Sequence, residues 1–202
     1  IGQGVLKFGD FTLNSGRQSP YFFNLGSVSD GQGLQTLGRA YADAIVQSKV
    51  EFDVLFGPAY KGIPIAVATS LALAERGINV GVAYNRKEAK DHGEGGNLVG
   101  APVVGRVLLV DDVLTSGKAI RTAVDLIKAA EAEIAGVVIA LDRAELGPSG
   151  ETAVDALAAD LGAPMISIAG VADVISFLQG QTDRHDVLQS MREYQQAYCK
   201  LA

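Results

Sequence analysis

Two adjacent carboxylates, Asp111 and Asp112, end the apolar run Val107-Leu108-Leu109-Val110, and the turn Val113-Leu114-Thr115-Ser116-Gly117-Lys118-Ala119 follows at once. The order reads as buried strand, acidic tip, anion-binding turn and helix. Beyond the turn Ile120, Val124, Ile127 and Ile134 recur on one helical face, while Arg121, Asp125, Lys128 and Glu131 lie largely off it. A helix that begins near Ser116 to Ala119 leaves its first N–H groups unpaired, and with the Thr115 and Ser116 hydroxyls they make a ready phosphate site. The carboxylates accept hydrogen bonds from sugar hydroxyls and attract a hard cation. A ribose 5-phosphate satisfies both halves. Two other readings compete. One is a bare strand end beside a capped helix, common in α/β proteins. The other is the acidic strand of a P-loop nucleotide hydrolase. That needs G-x-x-x-x-G-K-[ST], and Gly117-Lys118 has Asp112 where the first glycine belongs, no Ser or Thr after it, and no P-loop elsewhere in the chain.

The run Val110 to Ala119 resembles the phosphoribosyl diphosphate signature of type I phosphoribosyltransferases. In that family two adjacent acids face the ribose hydroxyls and the following loop holds the 5-phosphate. Four more segments resemble the orotate phosphoribosyltransferases in particular, and in their order.

The first is Phe11-Thr12-Leu13-Asn14-Ser15-Gly16-Arg17-Gln18-Ser19-Pro20-Tyr21-Phe22-Phe23-Asn24. Two apolar stretches flank a Ser-Gly-Arg-Gln-Ser-Pro turn, as a hairpin or pair of edge strands would. Strand alternation points Phe22 away from Tyr21 and Phe23, so one side packs and the other is open to a planar ligand; simple core packing is the plain alternative. The segment resembles the family's hood, where paired phenylalanines lie at the pyrimidine. The family commonly has lysine at the position of Asn14, so this position carries no cation here.

The second, Gly57-Pro58-Ala59-Tyr60-Lys61-Gly62, turns from a short strand into a helix. Glycines let backbone approach a ligand and Lys61 supplies charge, although an ordinary strand-helix loop reads the same way. It resembles the family's diphosphate-binding loop. The third, residues 85–97, is charged, glycine-rich and without an apolar face, so a mobile exposed loop is expected. It concentrates Arg86, Lys87, Lys90 and His92 in a chain of net charge −6. A solvated linker is the plain alternative; a lid over a polyphosphate is the other. It resembles the family's catalytic loop, which reaches into the neighbouring subunit's site. The fourth is Arg143 after the strand Val137 to Leu141; the matching arginine faces the orotate carboxylate.

The elements that position these residues follow from periodicity. Helices are expected at 31–49, 63–76, 152–161, 171–178 and 186–198, and strands at 53–56, 80–84, 137–141 and 165–168. The expected fold is α/β: a doubly wound, mainly parallel sheet with helices on both faces and a small N-terminal hood. One domain spans 1–202, with the hood in about 1–30. Of the 202 residues 48% are hydrophobic, enough for a sizeable core. No apolar run approaches the ~20 residues of a membrane span. A cytoplasmic protein is expected, without nucleic-acid or membrane partners, because the net charge is acidic. The chain opens on Ile1 rather than Met, which leaves room for native residues before it. Cys199, the only cysteine, reads as an inert thiol, and His185 as a surface residue.

The resemblance implies transfer of ribose 5-phosphate from phosphoribosyl diphosphate to N1 of orotate, giving orotidine 5′-monophosphate and diphosphate in pyrimidine synthesis. It implies Mg²⁺ held by substrate and water near Asp111 and Asp112, and a homodimer with shared sites. Lys90, His92, Asp111 and Asp112 take the catalytic positions. Phosphoribosyl diphosphate falls to Tyr60, Lys61, Arg86, Lys87, Lys90, His92 and Asp111 through Val113, Leu114, Thr115, Ser116, Gly117, Lys118 and Ala119. Orotate falls to Asn14, Phe22, Phe23, Thr115 and Arg143. A transferase for another base, or a non-catalytic nucleotide sensor on the same fold, remain the alternatives.

Overall fold

Along the chain, β1 (Leu6–Thr12) and β2 (Gln18–Phe23) precede α1 (Gly31–Ser48), β3 (Val54–Gly57), α2 (Gly62–Ala74), β4 (Gly81–Lys90) and β5 (Gly96–Gly100). Then come β6 (Arg106–Val113), α3 (Lys118–Ala129), β7 (Glu133–Asp142), α4 (Ala153–Leu161), β8 (Met165–Gly170), α5 (Val171–Gln179) and α6 (His185–Tyr198). This computed structural model describes residues 2–13, 15–90, 96–114 and 117–201, the side chains of 87, 89 and 90 excepted.

The main sheet has the order β5-β4-β3-β6-β7-β8. All its pairings are parallel except β4 with β5. The β3–β4 and β6–β7–β8 series run in opposite directions from the β3/β6 seam, and in such sheets ligands bind outside the carboxyl ends of the strands at that reversal. The diphosphate-type loop after β3 and the acid pair of β6 both emerge there.

Both faces of the sheet are covered, so its strands read as continuous apolar runs. Val107 and Leu109 face α3 and α4 through Ile120, Val124, Ile127 and Leu157. Leu108 and Val110 face α1 and α2 through Tyr41, Ile45, Ile65 and Leu73. Gly38 of α1 lies so close to α2 that an added Cβ would collide with the Ala68 carbonyl. Caps begin two helices, Asp30 accepting from Gly33 N (2.7 Å) and Thr152 from Asp155 N (3.0 Å). The hood is the antiparallel β1–β2 pair, docked through Tyr21 onto Leu141, Leu178 and Met191. No described helix is long and apolar enough to cross a membrane.

Three expectations are corrected. Ile134 belongs to β7, not to the helix after the acid pair. The chain leaves α3 through Glu131 at φ 58, with Ala132 N returning to Ile127 O (3.2 Å). That left-handed turn is invisible to helical periodicity, and Ile134 keeps the spacing by coincidence. Residues 85–90 and 96–97 are strand, not irregular loop: Asn85 pairs with Leu98 and Lys90 with Gly96 across a hairpin. Ladder hydrogen bonds need no apolar face, which is why composition misreads them. The hood turn is also shorter than expected, since Gln18, Ser19 and Pro20 already lie in β2.

Candidate active site

The strand of the central sheet runs through the acids rather than stopping before them, for Val113 still pairs with Leu141. Asp111 and Asp112 are consequently buried, each 8% exposed. Backbone amides turn them inward: Asp112 N donates to Asp111 Oδ1 (2.9 Å) and Val113 N to Asp112 Oδ1 (2.8 Å). Tyr41 of α1 donates its hydroxyl to the Asp111 carbonyl (2.7 Å), tying the strand end to the helical layer. Burial pushes Asp111 from its ordinary 3.8 up to about 6; the Asp112 charge adds to the rise, while the Asp112 amide and the Lys61 ammonium oppose it.

Lys61 comes from the loop between β3 and α2. Its Nζ donates to Asp112 Oδ2 at 2.6 Å, yet its side chain is 60% exposed. An ammonium held by one carboxylate among the described residues can exchange it for a phosphate. The loop is drawn tight by its glycines. A Cβ on Gly57 would strike the Gly62 carbonyl, and one on Gly62 would meet Pro58 and the Val110 carbonyl of β6. Asn85 Oδ1 accepts from Ala59 N (3.0 Å), fixing the loop from the neighbouring strand. Across the cleft, Gly117 begins α3 at φ 66 without a side-chain cap, and Lys118 and Ala119 form its first turn.

These parts enclose a cleft of about 710 Å³. Its walls include Tyr60, Lys61, Arg86, Asp111, Asp112, Val113, Leu114, Gly117, Lys118 and Ala119, so ten of the expected phosphoribosyl diphosphate residues converge. Arg86 Nη1 and Asn97 Oδ1 are buried on this wall with no hydrogen-bond partner among the described residues. Buried polar atoms of this kind await a partner. The sequence reading missed Asn85 and Asn97 as site residues. Asn85 had a visible signal, since it ends the apolar run from Val80 as Asp111 ends its own.

Phe22, Phe23 and Arg143 are not cleft walls. Phe22 is 41% exposed and stacks on Phe11, ring centroids 5.5 Å apart. Phe23 points the opposite way, packed against the core, so the two phenylalanines do not share a face. Arg143 Nε donates to Glu145 Oε1 at 2.6 Å. Asn14, His92, Thr115 and Ser116, and the side chains of Lys87 and Lys90, lie outside the described residues. His185 is exposed. Burial pushes the Cys199 thiol up to about 11, away from reactivity.

Comparison with known proteins agrees with this geometry. The family model for the phosphoribosyl transferase domain matches residues 25–160. An orotate phosphoribosyltransferase of Klebsiella pneumoniae is 52% identical over 199 residues, covering 98% of this chain and 93% of its own. This chain belongs to the orotate phosphoribosyltransferases. A crystal structure of the family from Francisella tularensis superposes with a TM-score of 0.88 at 38% identity, over 98% of this chain and 96% of that one. A Mycobacterium tuberculosis member in complex with 5-phospho-α-D-ribosyl 1-diphosphate gives a TM-score of 0.62 at 27% identity, over 81% and 88%. The α/β sheet, the seam and the loops around it are therefore the family's fold, carried almost end to end.

Proposed function

We propose that the chain transfers ribose 5-phosphate from phosphoribosyl diphosphate to N1 of orotate, releasing diphosphate and forming orotidine 5′-monophosphate. One observation carries this reading. A buried pair of carboxylates, a lysine loop and an uncapped helix start face one another across a single cleft. That set matches a ligand with a diol, a diphosphate and a 5-phosphate.

The hard species is a ribosyl centre with oxocarbenium character beside a departing diphosphate. Asp111 and Asp112 hold the diol and favour positive charge at the sugar, acting from a site dry enough for their field to count. Lys61 and Arg86, with Lys87 and Lys90 from the same hairpin, neutralise the leaving group. His92 assists it by hydrogen bonding. Phe22 and Arg143 take the base, Arg143 meeting its carboxylate.

The donor set suits a magnesium ion kept mainly by substrate and water. Two carboxylates are buried at the cleft, and among the described residues no cluster of three or more His, Cys, Asp or Glu side chains encloses a cation. Asp111 and Asp112 would hold it through its waters, and when bound it supplies charge neutralisation for the diphosphate.

A homodimer with shared sites is supported by α2. Pro64, Val67, Leu71 and Ala74 form an exposed apolar stripe on this helix, Val67 at 45% and Leu71 at 64% exposure. A helix apolar on all sides is normally covered. The stripe starts beside Tyr60 and Lys61, so a covering subunit would lie next to the cleft.

The deciding experiment measures diphosphate release from phosphoribosyl diphosphate and Mg²⁺ with orotate, uracil, adenine and hypoxanthine in turn. Release with orotate alone is expected. Equal release with a base that lacks a carboxylate would overturn the substrate, and none with any base would overturn the activity.

A further inference from the structure

Arg143, at the carboxyl end of β7, is held from several sides. Its Nε donates to Glu145 Oε1 (2.6 Å), and its Nη2 donates to Ser19 Oγ of the hood (3.0 Å) and, more weakly, to the Tyr194 hydroxyl (3.5 Å). Its guanidinium carbon lies 4.0 Å from the Tyr21 ring centroid. Tyr194 of α6 donates to the same Glu145 Oε1 (2.6 Å). Nη1 makes no hydrogen bond to a described residue.

Glu145 is itself fixed at both ends. Its other oxygen, Oε2, pairs with Arg17 Nη1 of the hood at 3.4 Å. Its backbone bridges to Cys199, flanked by Leu146 N donating to Tyr198 O and Lys200 N donating to Ala144 O, each 2.8 Å. Between Arg143 and Glu145, Ala144 adopts φ 51 with its amide donating to Asp142 Oδ1 (2.7 Å). A left-handed alanine costs free energy that only the surrounding contacts sustain. The turn sets the two side chains against each other, 16% and 20% exposed.

We propose that Glu145, with Tyr194 behind it, is the positioning residue for Arg143 in recognition of the carboxylated pyrimidine. This rests on the reading above that Arg143 meets the orotate carboxylate. A bare arginine loses the freedom of a long stem when it binds; one clamped through Nε and Nη2 presents Nη1 in a fixed direction. A carboxylate so close would repel a second carboxylate, but Arg17 offsets it. Two guanidinium groups share one Glu145, leaving the cluster at +1 in a chain of net charge −6. Arg17 is thereby spent on Glu145 and the Leu146 carbonyl (3.2 Å) rather than offered to the cleft.

The test compares Glu145→Ala, Glu145→Gln, Tyr194→Phe and Arg143→Ala in steady state, with KM for orotate and for phosphoribosyl diphosphate measured separately alongside melting temperature. Glu145→Ala is expected to raise KM for orotate about tenfold while KM for phosphoribosyl diphosphate stays within about twofold. Glu145→Gln keeps an acceptor for Nε and should recover most of that loss, and Tyr194→Phe should cost about two- to fivefold. If Arg143→Ala weakens orotate but the Glu145 and Tyr194 variants do not, the positioning role is overturned and the reading beneath it stands. If both KM values and the melting temperature worsen in parallel in Glu145→Ala and Tyr194→Phe, Glu145 is a structural staple only. If Arg143→Ala leaves KM for orotate unchanged, the reading of Arg143 itself falls, and the positioning role with it.

Discussion

Asp111 is held at a cost to the fold. Its carboxyl is raised by burial from 3.8 to about 6, so the neutral form is the one the folded state prefers. The associated stability is fully present below pH 3.8 and is lost as pH rises through about 6. Asp111→Asn removes a buried charge of nearly the same shape. At pH 8 it should therefore stabilise the protein by about 2–3 kcal/mol, a gain that vanishes near pH 4. The same change should lower kcat/KM roughly 10- to 100-fold, the worth of one lost charge-assisted contact. The unmodified protein should in turn lose kcat/KM as pH falls through about 6. Melting curves at pH 4 and 8 with matched kinetics check all three, and equal melting at pH 8 would show that Asp111 is not held at a cost. The adjacency of the acids was legible in the sequence; their burial was not, because that depends on Val113 pairing with Leu141 in a strand from elsewhere. The Arg143 clamp was still less visible, since Ser19 and Tyr194 stand 124 and 51 residues away from Arg143.

At the scale of elements, α1 and α2 meet through Gly38, and the same pair of layers positions the Lys61 loop. Gly38→Ala puts a methyl group into the Ala68 carbonyl, so the helices must separate. Overpacking of this kind costs about 1–3 kcal/mol, or roughly 2–4 °C of melting temperature per kcal/mol in a chain of this size. Because the collision is remote from the cleft walls, both KM values should stay within about twofold. Gly57→Ala creates a collision inside the loop itself, against the Gly62 carbonyl, and should raise KM for phosphoribosyl diphosphate as well as lowering stability. Thermal melts and kinetics of the two variants separate these effects; an unaltered KM in Gly57→Ala would mean the loop tolerates reshaping. Most elements were legible because a two-sided sheet and its covering helices write long apolar runs and clean periodicities. What escaped were boundaries decided by backbone alone: the turn at Glu131, and the hairpin that carries β4 on to Lys90.

At the scale of the molecule, the exposed stripe of α2 and the charged β4–β5 hairpin flank one cleft, and a second copy of the chain would account for both. If Lys90 acts in the neighbouring subunit, each site combines Arg143 of one chain with Lys90 of the other. Lys90→Ala and Arg143→Ala are then each strongly impaired as homodimers, yet a mixed dimer holds one intact site. Random exchange of equal amounts makes half the dimers mixed, so about a quarter of wild-type activity should return. Leu71, 64% exposed at the middle of the stripe, supplies the control. Leu71→Glu in both chains buries a carboxylate in an apolar contact without a partner, a penalty of several kcal/mol, and should shift the protein to monomer by analytical ultracentrifugation. The same substitution should abolish the recovered activity. Recovery that survives dissociation would show that it does not arise across this interface, and no recovery despite demonstrated exchange would mean that Lys90 serves its own chain.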